Sequence, residues 1–339
     1  MLKFALIGCG AISKRHAEML GSNKIKGAAL TAVCDIDLEK AKEVGNKYRV
    51  PFYSSMDDLM QKELLDVIVV LTPSGLHVKH VTHLSQYGKH IVVEKPMALS
   101  VTDANQMINS CEHNGCKLFV IKQNRFNLPI IQTKQALNEG RFGNLFLGTV
   151  RIRWKRDQGY YDKDSWRGTW DLDGGVLANQ ASHHLDLLLW MMGNVRSVFA
   201  RSINAIANID TEDTAVVLLQ FENGALGLVE ATTAIRPADL EGSISILGDK
   251  GSVVIGGFSA NVLQVWNFSQ EKEIDADVVE KHSTNPNIKN FPHLSCYQNI
   301  IEAINGNTEA LIDGTEGRKS VELISAIYDS INLEKEIFL

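Results

Sequence analysis

The stretch Phe4-Ala5-Leu6-Ile7-Gly8-Cys9-Gly10-Ala11-Ile12-Ser13 decides how the chain is read. Four apolar residues run straight into a Gly-x-Gly turn and an amphipathic segment follows, so a buried strand, a tight loop and a helix succeed one another. Gly8 makes the turn, and Gly10 lets the backbone approach a ligand. The exposed amides at the positive end of the helix favour a pyrophosphate there. Ser13 stands where the G-x-G-x-x-G pattern usually has its last glycine, with Ala11 and Ile12 between. A second strand-like run, Leu30 to Cys34, ends at Asp35, 27 positions beyond Gly8, where a carboxylate can accept hydrogen bonds from adenosine ribose hydroxyls. Ile36 follows, and no Lys or Arg comes before Lys40 to clasp a 2′-phosphate. NAD is therefore the expected cofactor.

Three further apolar runs, Val67 to Leu71, His90 to Val93 and Lys117 to Ile121, alternate with amphipathic segments, the rhythm of a parallel sheet with crossover helices. None alternates strictly, as expected of strands covered on both faces. Ser55-x-x-Asp58 and Ser100-x-x-Asp103 read as helix N-caps, and Gly115 fits the end of the helix that starts near Val101. After about residue 122 the patterning becomes α+β. An amphipathic stretch, Pro129 to Glu139, precedes strand-like runs at Leu145 to Trp154, Val195 to Asn204, Thr214 to Phe221, Leu226 to Thr233, Ser243 to Leu247 and Ser252 to Ile255. Turns at Glu222-Asn223-Gly224 and Gly248-Asp249-Lys250-Gly251 predict antiparallel pairing. A helix is expected over Asn179 to Met192, and Gln270 to Asn290 reads as a long surface loop. The expected domains are 1–122 and 123–339.

Composition narrows the function classes. The 339 residues are 45% apolar and 22% charged, as in soluble globular proteins of two domains. Lys+Arg at 34 against Asp+Glu at 40 leaves a net charge of -6, which favours neither nucleic acid nor an anionic membrane as partner. The longest apolar runs fall well short of the roughly 18 residues that cross a bilayer, and the first one enters Gly8 too soon for a signal peptide. Five scattered cysteines without a C-x-x-C pattern read as free thiols in a reducing compartment, so a cytoplasmic location is expected.

Two segments follow successive strands where a doubly wound sheet places its ligands: Leu71-Thr72-Pro73-Ser74 with His77, and Glu94-Lys95-Pro96. Lys95 there would project a cation toward whatever meets the nicotinamide; position alone also fits a solvated lysine paired with Glu94. Pro96 admits a cis bond. Further on, Gly174-Gly175 precedes Asn179, His183, His184 and Asp186. On one helix, offsets of four and three put Asn179, His183 and Asp186 on a common face, with His184 turned away. His183 can act as a general base because imidazole titrates near neutral pH; a hydrogen-bonded core histidine is the other reading. His77, His80 and His83 have no Cys or carboxylate close in sequence, so no metal is expected. Arg151 to Arg156, Tyr160-Tyr161 and Ser165 to Trp170 interleave aromatic and guanidinium groups, which can stack a base and fork onto phosphate or carboxylate, or simply snorkel along strand edges.

With Gly8-Cys9-Gly10, Thr72-Pro73 and His77, Glu94-Lys95-Pro96, and Gly174-Gly175 through His183 to Asp186, the chain resembles the glucose-fructose oxidoreductase and inositol dehydrogenase family (Gfo/Idh/MocA) over nearly its whole length. The resemblance implies an α/β protein: an N-terminal Rossmann dinucleotide-binding domain and a C-terminal α/β domain on a large, mostly antiparallel open sheet used for substrate binding and homo-oligomerisation, as dimer or tetramer. It also implies NAD- or NADP-linked oxidation of a sugar hydroxyl, with Lys95 and His183 on the catalytic positions. Cofactor contacts are implied along Gly8, Gly10, Ala11, Ile12, Asp35 and Ile36, along Leu71 to Ser74 with His77, and at Glu94, Lys95 and Gln123. Asn179 departs from the Asp that many sugar dehydrogenases of the family carry.

Closer still, Gln123-Asn124-Arg125-Phe126-Asn127, Tyr160-Tyr161-Asp162, Trp166 to Trp170, Asn179 to His183 and Leu240-Glu241-Gly242-Ser243 resemble the UDP-N-acetyl-2-amino-2-deoxyglucuronate dehydrogenase branch, where Asn at that place is normal. That implies oxidation of the 3-hydroxyl of a UDP-N-acetylhexosamine uronate (UDP-GlcNAcA) to a 3-keto sugar for surface polysaccharide. The implied substrate contacts are Arg125, Tyr160, Tyr161, Trp166, Arg167 and Asn179, beside Lys95 and His183. Neutral UDP-GlcNAc, or another sugar or polyol, is the alternative substrate. A non-catalytic NAD- or sugar-sensing regulator is the alternative of a different class, and the presence of both Lys95 and His183 argues against it.

Overall fold

In the computed structural model, which describes residues 1–22, 24–284 and 291–339, the chain divides into two units. One is Met1–Gln123 with Asn290–Val321, the other Asn124–Lys289 with Glu322–Leu339. The first holds strands β1 (Leu2–Ile7), β2 (Ala28–Cys34), β3 (Phe52–Tyr53), β4 (Val67–Val70), β5 (His90–Val93) and β6 (Leu118–Val120). They pair in parallel in the order β3-β2-β1-β4-β5-β6. The order reverses between β1 and β4, so the ends of these two strands open the ligand crevice. The continuous apolar runs are explained by burial on both faces: every residue of β4 is fully buried. The two capping serines behave as expected, Ser55 accepting from the Asp58 amide and Ser100 from that of Asp103.

Sequence patterning assigns everything after residue 122 to one later domain, but Asn290–Val321 packs within the first unit. Tyr297 is buried edge-on against Phe4 of β1, with ring centroids 5.9 Å apart. The buried Lys122 ammonium donates to Ser320 Oγ at 2.5 Å.

The second unit is built on β7 (Leu145–Arg153), β8 (Val195–Ile203), β9 (Thr214–Phe221), β10 (Leu226–Thr232), β11 (Glu241–Gly248), β12 (Gly251–Gly256), β13 (Val262–Phe268) and β14 (Ile337–Phe338). The order is β13-β12-β11-β7-β10-β9-β8-β14, antiparallel except where β7 meets β10. The two predicted turns join β9 to β10 and β11 to β12. The helix Ser182–Met192 lies on this sheet, close enough that a Cβ at Gly148 would stand 2.8 Å from both Leu188 and Met192. No helix among the described residues is long and apolar enough to cross a membrane.

The expected loop from Gln270 to Asn290 is corrected by a helix over Ile274–His282; residues 285–290 of that expectation lie outside the described residues. The helix is anchored by a partner far away in sequence. Arg141 grips the Asp275 carboxylate with two N–H groups at 2.8 and 2.6 Å, and the Trp266 indole and the Lys272 amide also donate to it, each at 2.8 Å. The Arg141 pair, with these bonds, outweighs burial and holds Asp275 well below the usual carboxylate range. Its stabilisation is therefore present above the ordinary carboxylate pKa and is lost as the pH falls below it. Asp275→Asn should cost about 2 kcal/mol at pH 7, measured by urea unfolding, and the deficit should shrink on acidification; a deficit independent of pH would contradict this account.

Candidate active site

Gly8 sits at φ +101°, and a Cβ there would stand 2.9 Å from the carbonyl carbon and oxygen of Leu71. No other residue fits: the conformation is one that L side chains rarely adopt, and the end of β4 occupies the space. At Gly10 a Cβ would meet nothing within 4 Å, so that side of the loop is open. Ser13, in place of the last glycine, is buried and donates its hydroxyl to Gly10 O at 2.7 Å, closing the loop onto the start of the helix Ser13–Gly21. Asp35 accepts from the Cys9 amide through Oδ2 at 2.6 Å and from the Asp37 amide through Oδ1 at 2.8 Å, which fixes its carboxylate beside the loop. Ile36 is almost wholly exposed. Open loop, helix start and fixed carboxylate fit a dinucleotide. The Cys9 and Cys34 thiols beside them are pushed up to about 12 and about 11, first by burial and then by the Asp35 charge, so neither is a nucleophile at neutral pH.

The other side of the crevice is made by the loops after β4 and β5. Thr72 and Pro73 lead into the short turn Ser74–Leu76. His77 is buried with Nε2 2.8 Å from Thr72 O and Nδ1 3.0 Å from Pro96 O. Its ring thus ties the two loops together from behind. His80 instead meets Thr72 Oγ1, and His83 meets Asp57, so the three histidines go separate ways. No group of three metal-ligating side chains gathers among the described residues. The amide of half-buried Lys95 donates to Glu94 Oε2 at 2.8 Å, and the Lys95-Pro96 bond is cis. Glu94 is buried, with Oε1 2.9 Å from His16 Nε2. Gln123, half-buried, opens the short turn Gln123–Phe126.

In the second unit the helix begins at Ser182, so the expected start at Asn179 is corrected. Residues 179–181 form a turn in which the Asn179 amide bonds Gly175 O and the Ala181 amide bonds Val176 O. The Asn179 side chain is drawn to Asp173 Oδ1 instead of lying on the helix face. Only His183 and Asp186 keep the predicted spacing. Asp186 is buried and takes two bonds of 2.8 Å from Arg125, itself buried and stacked over Trp190. The guanidinium of Arg125, expected as a substrate contact, is therefore committed to an internal pair. The neighbouring histidines differ: His183 is half-buried, while His184 is buried edge-on to Trp154 and pushed down to about 4 by burial.

The aromatic and basic stretch also resolves. Tyr161 is buried, its hydroxyl on Thr233 Oγ1 at 2.9 Å. Tyr160 accepts from Arg167 Nη1 at 2.7 Å, and Arg167 Nε donates to Asp164 at 2.9 Å. The Arg167 guanidinium lies 4.5 Å from the centroids of both Tyr160 and Trp166, and its Nη2 donates to none of the described residues. Two residues invisible to motif reading support the Gly174-Gly175 turn. Glu212 Oε1 accepts from the Leu177 amide and the Tyr328 hydroxyl, both at 3.0 Å, and Tyr328 accepts from the Gly175 amide at 3.3 Å. Burial raises Glu212 to about 7. It stands so close that a Cβ on Gly175 would run into its carboxylate, which explains that glycine.

Residues 2–122 match the family model "Oxidoreductase family, NAD-binding Rossmann fold", and residues 130–254 match "GFO/IDH/MocA C-terminal domain". The chain belongs to the GFO/IDH/MocA oxidoreductase family. It is similar to the WlbA dehydrogenase of Bordetella pertussis, solved in complex with NADH and UDP-GlcNAcA, with 38% identity, a TM-score of 0.96, and coverage of 100% of this chain and 97% of that one. The Chromobacterium violaceum WlbA structure, with the same two ligands, gives 38% identity and a TM-score of 0.94, covering 100% of this chain and 96% of that one. Myo-inositol 2-dehydrogenase of Thermotoga maritima is 28% identical over 74% of each chain. The GFO/IDH/MocA chain described here is thus an NAD-dependent sugar oxidoreductase, which closes the regulator alternative.

A carboxylate fixed by two amides cannot easily turn away from a 2′-phosphate, and like charges brought together cost several kcal/mol. NAD should therefore exceed NADP in kcat/KM by about 100-fold or more. Asp35→Ala should lower kcat/KM for NAD while narrowing the gap. Equal use of NADP by the wild-type enzyme would refute the assignment.

Proposed function

We propose that this enzyme oxidises the 3-hydroxyl of UDP-GlcNAcA to a 3-keto sugar, in the cytoplasm and on the way to a surface polysaccharide. The observation that carries this reading is the full-length likeness, at 38% identity, to two structures that hold UDP-GlcNAcA beside NADH. The Asn179 position and the Arg167 cluster support it. A uronate bound as a nucleoside diphosphate brings two centres of negative charge, which an acidic protein must meet locally. Arg167, with two N–H groups already fixed and its guanidinium 4.5 Å from the centroids of both Tyr160 and Trp166, offers Nη2 to an anion at little entropic cost.

In the proposed reaction His183 accepts the proton of the sugar hydroxyl, and the Lys95 ammonium steadies the alkoxide as it forms. When bound, NAD supplies the acceptor for the hydride that leaves the same carbon. Asn179, held by Asp173, donates or accepts a hydrogen bond but carries no proton to relay. The homo-oligomer is proposed to form through the large sheet, where Phe199, Val216, Leu218 and Leu226 are apolar and exposed.

Nicotinamide reduction across UDP-sugars with and without a C6 carboxylate, with a 2-oxo acid added in parallel, tests the substrate. Wild-type preference for neutral UDP-GlcNAc would overturn the uronate assignment. Lys95→Ala and His183→Ala should each lower kcat by about 100-fold or more while NADH affinity, read by fluorescence titration, stays within a few-fold. A large loss of NADH affinity with kcat retained would remove both from the chemistry. Arg167→Met should reduce activity on the uronate and narrow its advantage over UDP-GlcNAc; an equal loss on both sugars would assign Arg167 to the diphosphate or to the loop.

A further inference from the structure

The loop that carries Lys95 is braced by a side chain that no motif includes. His16, in the helix Ser13–Gly21, is fully buried. Its Nε2 lies 2.9 Å from Glu94 Oε1 and its Nδ1 lies 2.6 Å from the Tyr297 hydroxyl. The other Glu94 oxygen accepts the Lys95 amide at 2.8 Å. A continuous line of hydrogen bonds thus runs from the helix Phe291–Ile304, through the helix behind the glycine loop, to the backbone of Lys95. All of it lies within the first unit.

Proton counting gives the line a direction. The Tyr297 phenol is pushed well above its usual value by burial, so it keeps its proton and donates it to Nδ1. A neutral imidazole then carries its hydrogen on Nε2 and donates it to the Glu94 carboxylate, a tautomer assigned here from the partners. Every polar atom of His16 is satisfied, and a buried carboxylate has a donor on each oxygen. We infer that His16 is a positioning residue for Lys95: by fixing the carboxylate that holds the Lys95 amide, it sets where the ammonium stands when the sugar hydroxyl loses its proton. The inference rests on the role proposed above for Lys95.

The pH dependence separates this from a packing role. Glu94 interacts with His16 from one helix, with His293, Cys296 and Tyr297 from the other, with Lys95 from the loop after β5 and with His77 from the start of the helix His77–Ser85; Arg15 lies by His293. Burial raises the Glu94 carboxyl, but the hydrogen bond from His16, the first of the groups that lower it, with Lys95 nearby, outweighs burial and holds it at about 2. Without His16 the carboxyl moves up, and protonation at mildly acidic pH then removes a charged acceptor from the Lys95 amide.

The experiment compares wild type, His16→Phe, His16→Gln, Tyr297→Phe and Lys95→Ala, using NAD and UDP-GlcNAcA. The readouts are kcat and KM from pH 6 to 9 and NADH affinity by fluorescence. His16→Phe should lower kcat about 10- to 100-fold, with KM and NADH affinity within a few-fold, and should shift the acidic limb of the kcat profile to higher pH. His16→Gln, whose amide can donate to Glu94, should recover most of kcat and the wild-type limb. Tyr297→Phe should give the same signature in smaller size, and it decides the question should His16→Phe not fold. An unaltered kcat and profile in these variants, with Lys95→Ala inactive, overturns the inference. A loss shared equally by kcat and NADH affinity with no shift of the limb also overturns it. Full kcat in Lys95→Ala would instead overturn the catalytic reading on which it rests.

Discussion

The approach of Gly8 to the Leu71 carbonyl is the constraint on which the rest of the first unit depends. Around it three strand ends are tied by backbone alone: the Gly8 amide bonds Cys34 O at 2.8 Å, and the Leu71 amide bonds Ile7 O at 2.8 Å. The Cys9 amide then reaches the Asp35 carboxylate. A side chain at position 8 would push β4 away from β1 and with it the loops that carry Thr72, His77 and, one strand further, Lys95. The glycine loop and Lys95 are therefore placed by the same contact, although Gly8 and Lys95 are 87 positions apart in the chain.

Among the described residues, buried charged groups are met by polar partners, and Glu212 stands apart in having one oxygen without any. Arg125 with Asp186, and Glu94 with His16, are buried with partners on their charged atoms, which keeps the desolvation penalty from being left uncompensated. One Glu212 oxygen takes two donors and the other has none among the described residues, so the carboxyl titrates close to neutrality instead of staying ionised. Below its raised pKa it is neutral in the folded protein, and rising pH then loads charge under the turn that leads to Asn179 and His183. The glycine at 175 is what allows a carboxyl to sit there at all.

How much of this was legible in the sequence depends on how far apart the partners lie. The strand–Gly8–helix unit, Asp35, both capping serines and most strands of the large sheet were legible, because period, turn chemistry and cap spacing are local signals. The helix Ile274–His282 was not, since its anchor is Arg141, 134 residues away. Asn179 was misplaced on the helix because a turn bonded through Gly175 and Val176 has the same short spacing as a helical one. His16 and Glu212 left no trace: a histidine whose partners lie 78 and 281 positions off reads as an ordinary residue of an amphipathic helix. The return of Asn290–Val321 to the first unit was hidden for a related reason, as an apolar helix face does not say which sheet it covers.

The basic stretch shows why counting cations misleads. Arg153 is held by Glu230 through three bonds of 2.7 to 2.9 Å and by Glu241 at 3.1 Å. Arg156 stacks over Tyr160 and is drawn to Asp239, and Arg125 is consumed by Asp186. Most of the guanidinium groups that suggest an anion site by their density are therefore already spent on carboxylates of the same unit, as a chain with excess acid requires. Arg167 differs because its partners among the described residues take only two of its nitrogens. On the uronate reading proposed above, recognition of the extra carboxylate falls to very few side chains, so a single substitution there is expected to change the preference between uronate and neutral sugar without disturbing the fold. In a family whose members share a scaffold and differ in substrate, that is the economical place for divergence.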